Sequence, residues 1–78
     1  DYADIVSGIS SHTLRTFLFR RVVAAILLDD LIDDDEQEII DQTADAFGYD
    51  AGLRDSFVQW MKDGITWEKR GASLMSKM

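Results

Sequence analysis

Residues 20–40 read RRVVAAILLDDLIDDDEQEII, and this stretch decides the fold. Its uninterrupted apolar run, 22–28, is followed by an acidic run that leads into a second apolar pair. Asp33 stands three residues before Glu36, which is the spacing of a capping box with aspartate in place of the usual serine or threonine. The stretch therefore predicts the end of an apolar helix, an acidic turn and the start of a second helix.

Outside this stretch, apolar residues recur at helical spacing, the chain has no proline, and no segment alternates as a strand does. Ser10 or Ser11 can cap the apolar helix, Asp50 can cap the helix that follows Gly48, and Thr66 can cap a last helix. The predicted helices cover 3–9, about 11–28, 33–48, 50–64 and 66–78. The sequence thus predicts an all-α fold, a single domain over 1–78 built as a small bundle of four to five short helices.

The second predicted helix is apolar on nearly every side and is expected to be the central one. One stripe comprises Leu14, Phe17, Leu18, Val22, Ala25 and Leu28, and it is widened by Phe19, Val23, Ile26 and Leu27. The inner faces expected for the next two helices are Ile39, Ile40, Thr43, Ala44 and Phe47, then Leu53, Phe57, Trp60 and Met61. A helix that is apolar all round needs neighbours on every side, and three or four short helices are too few. We therefore expect a protein partner or a homo-oligomer.

Charge is concentrated in the middle of the chain. The net charge is -7, and residues 29–63 carry twelve acids and only two bases. Such a surface repels phosphate backbones and anionic lipids, so we expect no nucleic acid as a partner, but rather cations or basic proteins. The longest apolar run has seven residues, far below the roughly 20 that cross a bilayer, so no membrane span is expected. The chain also lacks cysteine, which excludes disulfides and thiolate metal sites and leaves the redox compartment open. We expect a cytoplasmic protein.

The acidic run could hold a divalent cation, recognise a basic partner, or only begin a helix. An EF-hand is rejected, because no register places oxygen ligands, glycine and glutamate at the positions that this loop requires. The acids of 33–36 are explained by the helix that follows them, since the helix dipole favours negative charge at its N-terminal end. Asp29 and Asp30 follow the preceding helix, where the dipole disfavours them. Because the helix dipole does not explain these two residues, a less regular carboxylate site for calcium or magnesium stays open as an alternative.

Asp29, Ile32 and Glu36, placed after an apolar helix, resemble the signature of TerB-like domains. This helical family is named for the tellurite-resistance protein TerB and includes the N-terminal domain of the co-chaperone DjlA. The resemblance covers about 14–64 and continues at Ile39, Ala44, Phe47, Tyr49, Asp50, Arg54 and Gly64. The chain departs from the pattern at Asp30, where the family has glycine, and at Leu28, where it has alanine.

The resemblance implies a helix-turn-helix core with two nearby acidic positions that bind a metal or a protein. Carried over by position, these are Asp29 and Glu36. The candidate cation site is therefore Asp29, Glu36, Asp30 and Asp33, with calcium or magnesium as the possible cofactor. Asp34 and Asp35 are the candidates for contact with a basic partner surface.

The residues give little support to a catalytic function. A catalytic carboxylate pair needs environments that separate the two pKa values, which a solvated acidic run does not supply. His12 is the single histidine and adjoins Ser11 and Thr13, but a histidine in the first turn of a surface helix is the commoner case. We therefore expect no enzyme.

The terminal helix offers a second kind of functional surface. It carries Trp67, Leu74, Met75 and Met78, which can form a flexible apolar docking face or pack as core.

These sequence features lead to two hypotheses for the function of the chain. The first is a non-enzymatic binding module whose acidic helix-turn-helix binds a divalent cation or a basic partner. The alternative is a small accessory or assembly subunit of a larger complex that docks through its apolar helix faces.

Overall fold

The computed structural model describes residues 1–28 and 31–78, and within them the chain forms four helices and no strand. They are α1 (Tyr2–Ser7), α2 (His12–Leu27), α3 (Asp34–Phe47) and α4 (Ala51–Ser76). The predicted all-α bundle is confirmed. None of the helices in these two ranges combines the length and apolarity that a membrane crossing requires.

Side-chain caps start three of the helices where the sequence predicts. The Ser11 hydroxyl, at 3.3 Å, and the Asp50 carboxylate, at 2.7 Å, accept hydrogen bonds from the backbone N–H three residues later. Asp33 caps α3 in the same way. α3 ends at Gly48, whose φ of 81° lies in the left-handed region that glycine adopts without steric cost. These boundaries are local, because every donor and acceptor lies within a few residues of its partner.

The core lies where α1, α2 and α4 pack around α3. Its buried apolar residues are Val6, Phe19, Val23, Ile26, Leu27, Ile40, Ala44, Phe47 and Val58. Thr43 is also fully buried. Three aromatic rings pack together at one end of the core. The centroid of the Phe19 ring lies 5.2 Å from that of Tyr49 and 5.3 Å from that of Phe57.

The buried face of α2 is not the stripe that the sequence predicts. The buried residues are Phe19, Val23, Ile26 and Leu27, the set expected only to widen that stripe. Leu14, Phe17, Ala25 and Leu28 are exposed, and Leu18 and Val22 are partly buried. At about 100° per residue, the four exposed residues lie on the opposite side of the helix from the buried set. Among the described helices, α2 packs against α3 and α4 only, so one side of it is covered, and the expectation that a second chain covers the other side stays a prediction. The expectation that α2 is the central helix was wrong, because α3 is the helix that contacts the three others.

The end predicted at Gly64 and the cap predicted at Thr66 were also wrong. α4 runs without interruption through both residues for 26 residues, so one helix of the bundle is long. The Thr66 hydroxyl donates to the Lys62 carbonyl at 3.1 Å, a bond of the helix interior rather than of a cap. Glycine costs a helix interior about 1 kcal/mol relative to alanine, which is too little to end a helix whose flanking residues favour it.

The inner face of α4 also differs from the prediction. Val58 is the buried residue, and Phe57 and Met61 are partly buried. Leu53 and Trp60, both predicted to face inward, are more than half exposed. Packing against the core ends at Ile65, and the eleven further residues of α4 extend about 16 Å beyond it.

Candidate functional site

The acidic turn begins with a capping box. The Asp33 carboxylate accepts a hydrogen bond from the Glu36 backbone N–H at 2.8 Å, and the Glu36 carboxylate accepts one from the Asp33 N–H at 3.2 Å. The predicted capping box is confirmed. Two of the four predicted cation ligands therefore have carboxylate oxygens engaged by the backbone at the start of α3.

Two further acidic candidates lie within the described residues. Asp34 and Asp35 are exposed in the first turn of α3. Asp29 and Asp30 lie outside the described residues, so the predicted four-carboxylate set stays a prediction. Among residues 1–28 and 31–78, no group of three or more His, Asp or Glu side chains is arranged to hold a metal ion.

Arg54 connects α4 to the acidic side of α3. Its guanidinium lies 3.0 Å from the Asp41 carboxylate and 3.0 Å from that of Asp55. The hydrogen bond to Asp55 is the main reason that the pKa of Arg54 is raised, and the charges of Asp41 and Asp45 add to it. Part of the acidity of α3 is thus neutralised within the chain.

Large apolar side chains follow one another along a single face of α4. Trp60, Trp67 and Leu74 are spaced by seven residues. Because seven residues make nearly two helical turns, the three share one face, which we call the α4 stripe. Their exposed fractions are 56% for Trp60, 72% for Trp67 and 60% for Leu74, and Met78, which lies beyond the end of α4, is fully exposed. The stripe is therefore an apolar surface open to solvent.

The structure places three of the six residues predicted to bind a partner on one stretch of α4. Trp67 and Leu74 belong to the α4 stripe, and Met75 adjoins it with 68% of its surface exposed. Met78 lies beyond the end of α4. Asp34 and Asp35 lie on a different helix, α3. The apolar candidates thus lie at the end of α4 and the acidic ones at the start of α3, and the binding of a partner by either set stays a prediction.

The sequence pattern predicts that Trp60 faces the core, whereas in the structure it belongs to the exposed stripe. Its ring packs 5.5 Å from that of Phe57, and the Arg20 guanidinium lies 5.5 Å above it. These contacts hold Trp60 against α2 at the base of the stripe and leave its outer face open. The seven-residue spacing to Trp67 and Leu74 was the signal that could have placed it there.

A small apolar pocket lies between the start of α2 and the start of α4. It has a volume of about 250 Å³ and is lined by His12, Thr16, Phe19, Tyr49, Leu53 and Phe57. Small-molecule sites usually measure about 300–1,000 Å³, so this pocket is small even for a compact ligand. The neighbouring hydroxyls of Ser11 and Thr16 are engaged, the first as the cap of α2 and the second with the His12 and Thr13 carbonyls. Neither is positioned by His12 as a nucleophile.

No protein-family model, no curated protein and no solved structure matches this chain. The likeness to TerB-like domains therefore stays a resemblance carried by the residues named above. The chemistry of the exposed surfaces is what remains to indicate a function. The α4 stripe offers apolar area and aromatic rings, which are the features that bind other proteins.

Proposed function

We propose that this chain is a non-enzymatic protein-binding module, a small accessory or assembly subunit that docks through the α4 stripe. The exposed apolar side chains on the part of α4 that extends beyond the core carry the proposal. Aromatic and methionine side chains are enriched in the buried centres of protein interfaces. Trp60 and Trp67 would be the anchors, since tryptophan commonly contributes most of the binding energy at such sites.

The acidic helix-turn-helix is not the docking surface in this proposal. Asp33 and Glu36 begin α3, and the remaining acids make the surface unsuited to nucleic acid. Asp33 and Glu36 each bind a backbone N–H through one carboxylate oxygen, and among the described residues no third acidic side chain is arranged with them to hold a cation. This is why we favour docking through α4 over cation binding, and we propose the cytoplasm as the site of action.

Site-specific photo-cross-linking tests the proposal. A benzophenone amino acid at position 67 places the reactive group on the α4 stripe. Ala72, exposed and about 140° around the same helix, gives a matched control position. In cells that express the chain, we expect position 67 to give a discrete cross-linked species and position 72 to give none. Equal labelling at both positions, or none at 67, would contradict a docking role for the stripe.

A further inference from the structure

The α4 stripe needs an occupant, and its shape and charges indicate which one. We infer that a second copy of this chain packs antiparallel against it, so that the end of each α4 lies along the base of the other. The inference rests on the proposed docking function and deepens it by naming the partner. Four observations carry it: the amount of exposed surface, the alternation of side-chain size along the stripe, the order of charges on one flank, and the opposite charges of the end of α4 and the rest of the molecule.

The chain exposes more surface than a compact monomer of its size. Its accessible surface is 5785 Å², whereas a folded monomer of 8.8 kDa exposes about 4,800 Å². Its radius of gyration is 14.5 Å, against about 11.5 Å for a compact chain of this length. The excess surface is about 1,000 Å², close to the roughly 800 Å² that each partner buries in a standard interface. One symmetric contact along α4 would therefore account for it.

Large and small residues alternate along the stripe. Gly64 lies between Trp60 and Trp67, and Gly71 lies between Trp67 and Leu74. Neither glycine is required by the chain itself, because a Cβ at either position would meet nothing within 4 Å and neither has a positive φ. In an antiparallel pair, each tryptophan would face a glycine of the second copy. A large side chain then enters the gap that a small one leaves, as in the knobs-into-holes packing of helix pairs.

The flank of the stripe has the charge order that an antiparallel pair requires. Asp63 precedes Gly64 and Arg70 precedes Gly71, so the two are seven residues apart on the same flank. Antiparallel packing that places each tryptophan opposite a glycine also brings Asp63 and Arg70 of the second copy together on the same flank, offset by two residues or about 3 Å along the helix axis, and the twofold axis repeats the pair. A parallel pair would place these flanks on opposite sides of the contact, so Asp63 and Arg70 would not pair.

The end of α4 and the rest of the molecule also carry opposite charges, which favours the antiparallel orientation. Residues 69–78 carry three bases and no acid, whereas residues 29–63 carry twelve acids and two bases. An antiparallel pair brings the basic end of each α4 alongside the acidic body of the other copy. The apolar stripe thus supplies the attraction, and the charges select a second copy in this orientation.

Sedimentation equilibrium of the purified chain, residues 1–78, tests the inference. We expect the wild-type chain to dimerise with rising concentration, and Asp63→Arg and Arg70→Asp each to weaken dimerisation about tenfold by opposing two like charges. An equimolar mixture of the two variants should recover it, because every Arg then faces an Asp. Lys62→Asp, the matched control on the far side of α4, should leave dimerisation unchanged. Circular dichroism confirms that each variant is folded.

The outcomes separate this inference from the proposed function. Dimerisation that neither charge reversal weakens would overturn the antiparallel arrangement, and a chain that stays monomeric at every concentration would overturn the inference as a whole. Position 67 cross-linked to a different protein in cells, with the purified chain monomeric, would leave the docking function standing and remove the second copy as its partner. No cross-linked species at position 67 and no dimer would remove both.

Discussion

The Tyr2 hydroxyl lies 2.5 Å from the Thr43 hydroxyl and joins α1 to α3. Thr43 also lies 2.7 Å from the Ile39 carbonyl, which can only accept a hydrogen bond. Thr43 therefore donates its single hydroxyl hydrogen to Ile39 and accepts from Tyr2. This chain of hydrogen bonds satisfies the polar atom that Thr43 brings into the core and fixes the six-residue α1 on α3.

Removing the Tyr2 hydroxyl tests this contact. We expect Tyr2→Phe to lower the free energy of unfolding by about 0.5–1.5 kcal/mol, the usual net value of one hydrogen bond. In a Thr43→Val background the same change should cost almost nothing, because the acceptor is already gone. Urea unfolding of the four chains of this double-mutant cycle gives the coupling energy. Strictly additive losses would show that the two hydroxyls do not interact.

The capping box predicts a difference between two substitutions of one residue. Asp33→Ala should lower the free energy of unfolding by about 0.5–2 kcal/mol, because the Glu36 N–H loses its acceptor. Asp33→Asn keeps a side-chain oxygen that can cap, and we expect it to retain most of the stability. Thermal and urea unfolding measure both. Equal losses would mean that the charge at this position, rather than the cap, stabilises α3.

Substitution by alanine should change the free energy of unfolding in opposite directions at Gly71 and at Gly48. Gly71→Ala should raise the free energy of unfolding in dilute solution by up to about 1 kcal/mol, because alanine favours a helix interior and the new Cβ meets no atom within 4 Å. Gly48→Ala should lower it by roughly 1 kcal/mol, because its φ of 81° is unfavourable for any residue with a Cβ. Melting curves at low concentration compare the two. A stabilising Gly48→Ala would be inconsistent with the left-handed end of α3.

Tyr49 should make stability depend on pH in alkaline solution. Burial raises the pKa of its hydroxyl above the usual 10.0, partly offset by the charge of Arg15. The folded chain thus holds this proton more tightly than the unfolded chain. Its contribution is present below about pH 10 and is lost as the pH rises through the folded-state pKa.

The matched variant for this effect is Tyr49→Phe. The hydroxyl is buried and has no hydrogen-bond partner among the described residues, so its removal should not destabilise the fold. We expect the variant to lose less stability than the wild-type chain between pH 9 and pH 11, measured by urea unfolding. Parallel curves for the two chains would show that Tyr49 does not titrate differently on folding.

A calcium or magnesium titration tests the cation reading of the acidic run. Because no three acidic side chains of the described residues are arranged to hold an ion, we expect only weak NMR shifts over residues 31–41, and 150 mM salt should remove them by screening. Saturable shifts confined to this segment and resistant to salt would instead establish a specific cation site.

Local interactions made much of the fold predictable from the sequence. Ser11, Asp33 and Asp50 start their helices because each side chain binds a backbone N–H three residues away. Gly48 ends α3 because a left-handed residue is needed there. Each of these signals acts over less than two helical turns, so residues close in sequence suffice to determine it.

The tertiary structure decided which apolar surfaces are buried. α2 is apolar on nearly every side, so its sequence does not determine whether Phe17 or Phe19 faces the core. Phe19 is the buried one because α3 and α4 pack against that side of α2. In the same way, Gly64 reads as a helix end in the sequence, but α4 passes through it and carries Trp67 beyond the core. Burial depends on where distant helices lie, and apolarity alone cannot distinguish a side chain that packs within the chain from one that is left for a partner.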